Sequence, residues 1–177
     1  MKLIRTLLAS LAACMSLAAN ATLIGDSVHI AQNYPIIGSE HYPANAVVGG
    51  GVEFNWGGVY SVNIGANTID IIFGNVSFVD VPSGGNNHNG PLITGLNDSS
   101  GNPLTGFSAF ATNSIFTASN IIFGSDYIGF NLDGMSFQTG QSIHVDLNFG
   151  AQNVPEPSTL VLLGLALVGV AARSRRR

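Results

Sequence analysis

The chain has 177 residues, 46% hydrophobic and only 9% charged, with a formal net charge of −4. Its six Lys and Arg all lie at the two ends, Lys2 and Arg5 at one and Arg173, Arg175, Arg176 and Arg177 at the other. The body has no cation to replace phosphate counterions, so nucleic-acid binding, phosphate clamps and Schiff-base lysine chemistry are excluded for it.

The N-terminus reads as a secretory signal peptide over residues 1–21. Lys2 and Arg5 form its charged region, a short apolar run follows through Leu17, and Ala19 and Ala21 are the small residues that place cleavage before Thr22. Signal peptidase and the secretion translocon are the partners such a segment implies. The stretch Leu11-Ala12-Ala13-Cys14 also resembles a lipobox, with Cys14 as the acylated residue. Apolar sequence continues past Cys14, which favours ordinary cleavage and leaves a mature chain without cysteine.

Residues 22–153 form the body. They carry nine carboxylates (Asp26, Glu40, Glu53, Asp70, Asp80, Asp98, Asp126, Asp133, Asp146) and no Lys or Arg, a formal charge of −9 with histidine neutral. Salt bridges are therefore not expected to contribute, and stability must come from apolar burial and sheet hydrogen bonds. Short alternating runs dominate. In residues 142–149, Ile143, Val145, Leu147 and Phe149 share one face, while Ser142, His144, Asp146 and Asn148 share the other. Val52, Phe54 and Trp56 share a face in the same way, as do Tyr60, Val62 and Ile64; Ile69, Ile71 and Phe73; and Ile128, Phe130 and Leu132. Further strands are expected in residues 23–31, 76–81, 106–111 and 114–123, the last broken near Ser119-Asn120. Hairpin links fall at Gly57-Gly58, Gly65-Ala66-Asn67, Gly124-Ser125-Asp126 and Asp133-Gly134, with longer polar loops at residues 83–91 and 97–103. Many short strands without helical periodicity predict an all-β fold, an antiparallel two-sheet β-sandwich of jelly-roll or immunoglobulin-like connection.

Candidate chemistry in the body is sparse. His29, His41, His88 and His144 have no zinc-site spacing, and His144 reads as a solvated residue of a wet strand face. No nucleophile elbow appears, so no catalytic residue is assigned, and a hydrolase would need a cleft with convergent carboxylates. No cofactor or metal is assigned. Calcium is the one ion the acidic surplus suggests, through Asp80, Asp126, Asp133 and loop carbonyls, but no Asp-x-Asp-x-Asp loop is present. Tyr34 and Tyr42, in a Pro-containing segment, are the candidate exposed sugar contacts. Trp56 is expected in the core, because it shares a face with Val52 and Phe54. The loop at residues 83–90 could offer amides to sugars, though its composition suits a connector.

The C-terminus is the most specific segment. Val154-Pro155-Glu156-Pro157 precedes residues 160–172, 13 residues without charge, and the arginine cluster closes the chain. Such a helix would span about 20 Å, against a hydrocarbon core of about 30 Å, so it makes a marginal single transmembrane anchor. Leu160, Leu163, Leu165 and Val168 are among its apolar residues, and the arginines hold its end in the cytoplasm.

Residues 154–177 resemble the PEP-CTERM sorting signal of Gram-negative bacteria, with Pro155, Glu156 and Pro157 as the recognition triplet. The resemblance implies an exported protein, first anchored transiently in the inner membrane. An exosortase-like membrane protease would then process it for the cell surface or the extracellular exopolysaccharide. The function expected is a structural or adhesive, non-enzymatic component of the exopolysaccharide matrix. The alternative is a carbohydrate-binding module for extracellular polysaccharide.

Overall fold

The computed structural model describes residues 22–82, 86–98 and 101–150. The signal segment and the sorting segment lie outside them, including Ala19 and Ala21, the Pro155–Pro157 triplet, the anchor residues and the arginine cluster. Among the described residues no helix is long and apolar enough to cross a membrane.

Twelve strands follow in order: β1 Ser27–Asn33, β2 Glu40–Val47, β3 Val52–Trp56, β4 Tyr60–Ile64, β5 Thr68–Phe73, β6 Val76–Ser77, β7 Gly90–Thr94, β8 Leu104–Thr112, β9 Ile121–Phe123, β10 Tyr127–Phe130, β11 Ser136–Phe137 and β12 Ser142–Phe149. Among the described residues a single 3-10 turn, Ala118–Asn120, interrupts them. One five-stranded sheet runs β2-β1-β7-β10-β9 and the other β3-β4-β5-β12-β8, with a two-stranded β11-β6 ribbon beside them. All pairings are antiparallel. The two five-stranded sheets are those expected of a sandwich. The chain builds the β3-β4-β5 meander within one sheet, while β1-β2, β7 and β9-β10 make up the other.

One core joins the inner faces. Val28, Ile30, Ile93, Ile128 and Phe130 come from the first sheet, and Val62, Ile64, Ile69, Ile71, Phe73, Ile143, Val145 and Leu147 from the second. The alternation of β4, β5 and β12 delivers these residues as the period of two demands.

Several expectations need correction. Residues 83–91 were expected to be loop, yet Gly90 and Pro91 open β7, a central strand whose first four residues are buried. A strand covered on both faces has no polar alternation to betray it. Pro91 is tolerated because it lies beyond the last β10 pair, Gly129↔Leu92. Gly90 is required, since a Cβ there would collide with the Phe130 carbonyl oxygen. Strand β2 was not expected at all, because it is an edge strand with Pro43 inside it and mostly exposed side chains. Only Ile121–Phe123 of residues 114–123 is strand. Only Val76–Ser77 of residues 76–81 is strand, and β1 begins at Ser27 rather than residue 23.

Val52 does not join the face of Phe54. A bulge between them pairs Val52 with solvent-facing Asn63 and Phe54 with core Val62. Directly opposed residues share a face, so the extra residue turns Val52 outward, where it is 56% exposed. Glu53 instead accepts hydrogen bonds from the Gly49 and Ile64 amides at 3.2 and 2.7 Å.

Candidate functional site: an aromatic cleft

A cleft of about 310 Å³ opens at one end of the sandwich, between edge strands β2 and β3 and the β6-β11 ribbon. The β1-β2 hairpin brings Tyr34, His41 and Tyr42 to it, and the end of β3 brings Trp56. Val59, Val76, Phe78 and Val79 supply apolar wall, and Gln32 and Asn89 supply polar floor. Tyr34 and Tyr42, the two sugar contacts expected from the sequence, line the same cleft. Trp56, expected in the core, lines it too and is only half-buried. It shares a face with Phe54 but sits at the strand's last position, past the packed interior.

Tyr42 is the unusual residue. Between the pairs Ile30↔Ala44 and Gln32↔His41, β2 advances three residues while β1 advances two. Tyr42 lies in that bulge with φ +53, the one non-glycine among the described residues with positive φ. A bulky side chain in this region costs about 1–2 kcal/mol. The bulge carries the ring over Trp56, with centroids 4.9 Å apart and planes inclined by 33°. Tyr42 remains 61% exposed. Trp56 in turn meets the buried Tyr60 edge-on at 5.7 Å.

The floor is a directed chain of hydrogen bonds. Burial pushes the Tyr60 phenol well above its ordinary range, so its O–H stays a donor. It donates to Gln32 Oε1 at 2.8 Å. This fixes the amide, so Gln32 Nε2 donates to Asn89 Oδ1 at 2.9 Å, and Asn89 Nδ2 donates to the Val79 carbonyl at 2.8 Å. Gln32 and Asn89 are 3% and 4% exposed, so the network is held rigidly. His41 Nε2 donates to the Tyr34 carbonyl at 3.1 Å. Among the described residues no carboxylate lines the cleft, so they do not assemble the acid–base pair of glycoside hydrolysis there. Asn89 comes from the loop at residues 83–90 that could offer amides to sugars, whereas Gln32 and His41 were not singled out from the sequence as cleft residues, because their polar roles depend on fold-level neighbours.

The remaining candidates lie elsewhere. Among the described residues no group of three or more His, Cys, Asp or Glu is arranged to hold a metal ion, and Asp80, Asp126 and Asp133 do not converge. Asp133 Oδ1 accepts the Val81 amide at 2.6 Å. Residues 83–85 of the expected amide-bearing loop lie outside the described residues.

His144 is on the wet face, as expected, but it is more than solvated. Its Nδ1 is 2.6 Å from Asp70 Oδ1 and its Nε2 3.1 Å from Asp146 Oδ1. The Asp70 hydrogen bond holds the imidazole pKa above its ordinary value against the lowering by burial, helped by the Asp70 charge and by the Asp146 hydrogen bond and charge. His29 likewise faces Asn45 Oδ1 at 2.8 Å and Glu40 Oε2 at 3.2 Å, and its pKa is raised, first by the Asn45 hydrogen bond. Ion pairs thus exist without Lys or Arg, made by histidines when protonated. His88 is the opposite case. It is buried, its Nε2 has no hydrogen-bond partner among the described residues, and burial lowers its pKa.

The last described residues of the body lie at the far end from the cleft. Gly150 donates its amide to the Pro103 carbonyl. Leu23, at the other terminus of the body, bonds Ala66, while Leu147 bonds Asn67 and Leu104 bonds Ser125. Every one of these belongs to the turn cluster opposite the β1-β2 hairpin.

Comparison with curated proteins and with solved structures returned no match. A family model does match the tail: residues 153–177 correspond to the PEP-CTERM protein-sorting motif. Proteins with this motif are cargo of the sorting system rather than enzymes of it, and no catalytic family matches the chain. The chain therefore carries a PEP-CTERM protein-sorting motif, consistent with an exosortase substrate, and the motif implies a membrane-anchored precursor processed for export to the cell surface.

Proposed function

We propose that the mature domain, residues 22–153, is a non-enzymatic adhesive component of the extracellular polysaccharide matrix, and that it attaches by stacking a sugar ring in the Tyr42–Trp56 cleft. Tyr42 carries this reading. Its backbone sits in a region that costs a tyrosine free energy, and its ring stays 61% exposed against the indole instead of entering the core. Neither feature serves stability, and such strain gathers at functional sites. Two inclined rings with a wet opening and an amide floor suit the alternating apolar faces and hydroxyl edges of a sugar.

Delivery follows from the ends of the chain. Signal peptidase cuts after Ala21. The helix containing Leu160, Leu163, Leu165 and Val168 holds the precursor in the inner membrane, with Arg173, Arg175, Arg176 and Arg177 inside. The exosortase reads Pro155, Glu156 and Pro157. Gly150, the last described residue before the sorting segment, lies at the pole opposite the cleft.

A glycan array probed with the protein recovered from its native cells tests the function. Binding that fades in a Tyr42→Ala variant supports the reading, while silence across the array leaves a purely structural protein. Mass spectrometry of the same material should find termini at Thr22 and within the sorting segment. An intact chain in the cytosol would contradict the delivery route.

A further inference from the structure

Resting on the glycan reading of this cleft, we infer that the ligand is an uncharged polysaccharide, recognised by hydroxyl groups that donate into the Gln32–Asn89 floor, and that uronic-acid polymers are rejected.

The direction of the floor network carries the argument. The protonated Tyr60 phenol points its hydrogen at Gln32 Oε1, and each amide passes its own hydrogen onward until the Val79 carbonyl takes the last. Gln32 Nε2 also reaches the Asn33 carbonyl at 3.5 Å, so both its hydrogens are committed within the protein. Besides one Asn89 Nδ2 hydrogen, what the floor retains is the second lone pair on Gln32 Oε1 and on Asn89 Oδ1. These lone pairs are acceptors, and a sugar O–H can donate to them. A carboxylate has no hydrogen to give and would place its charge against like-signed oxygens.

Charge points the same way. No Lys or Arg occurs between residues 22 and 153, and the nine carboxylates of that span give the body a negative field. Among the described cleft residues the one imidazole is that of His41, whose Nε2 is already committed to the Tyr34 carbonyl. An anionic polymer would enter without a counter-charge and against the long-range field. A cationic amino-sugar polymer fares no better at close range, because no carboxylate among the described residues lines the cleft to pair with an ammonium. An uncharged ring incurs neither cost and keeps the full stacking on Tyr42 and Trp56.

The test titrates the full-length chain, held in detergent, with three oligosaccharides of matched length: a neutral glucan, a polygalacturonate and a chitosan. Wild type is compared with Tyr42→Ala, an exposed change that leaves the buried network alone. The expected result is binding of the neutral oligomer, about tenfold weaker in the variant and unchanged by added salt. Preference for the polygalacturonate or the chitosan, lost in the variant, overturns the ligand class but leaves the cleft reading standing. Failure of all three to bind, or binding that the variant does not weaken, overturns both.

Discussion

At the cleft end the buried core is aromatic. Phe73 stacks on Phe137 with centroids 3.8 Å apart and planes 11° from parallel, and Tyr60 and Phe78 pack around them. At the end where the chain leaves, the buried residues are aliphatic: Leu23, Val48, Ile64, Ile69, Leu96, Leu104 and Leu147. The polar chemistry differs as well. The cleft end buries neutral amides in a directed network. The exit end holds Asp98 at 3% exposure, its carboxylate accepting the Asn102 backbone and side-chain amides at 2.7 Å each. Asp26 nearby has its pKa raised, first by burial and then by the Asp98 charge. The difference separates two tasks. Rings and amides make a rigid surface that can recognise something, whereas an aliphatic plug closed by tight turns is enough to finish a domain and release its tail.

Substitutions at each end should break this contrast in different ways. Phe73→Ala removes the ring beneath the cleft and should cost about 3–5 kcal/mol, read as a large fall in the urea midpoint together with loss of glycan binding. Tyr60→Phe keeps the shape but strips the donor from Gln32 Oε1. It should cost about 1–3 kcal/mol and weaken binding, because the amides are then free to turn over.

Tyr42→Gly should do the reverse to stability. Relief of the positive φ should raise the unfolding free energy by up to about 1 kcal/mol while binding falls about tenfold. A variant both less stable and still binding would break the link between strain and function. The smallest effect belongs to the exit end. Because the folded-state pKa of Asp26 is raised, its ionised form opposes folding at neutral pH, and that penalty disappears as pH falls below the ordinary value of 3.8. Asp26→Asn should therefore stabilise by about 0.5 kcal/mol at neutral pH after solvent screening, gain nothing in acid, and leave glycan binding alone. Thermal melts at the two pH values check this.

The sandwich was legible in the sequence wherever a strand has one wet face. Residues 142–149 and the β4 and β5 runs follow their alternation residue for residue. It was illegible where a strand has two buried faces, as in β7, or an exposed bulged edge, as in β2. The site was half legible for the same reason. Tyr34 and Tyr42 stood out as aromatic residues in a Pro-containing segment, but their meeting with Trp56 depends on edge strands β2 and β3 coming together across the two sheets. Periodicity assigned Trp56 its face correctly and could not say that the core ends before it. Gln32 sits in a strand that reads as buried, and nothing local announces that its partners are Tyr60 and Asn89, 28 and 57 residues away.

Trp56 is the single tryptophan of the chain, so its fluorescence reports on the cleft without any label. Titrating the protein with a neutral oligosaccharide should shift or quench that emission saturably, with the same midpoint as binding measured by calorimetry. Calorimetric binding that leaves the Trp56 emission untouched would put the ligand elsewhere on the sandwich and contradict the account.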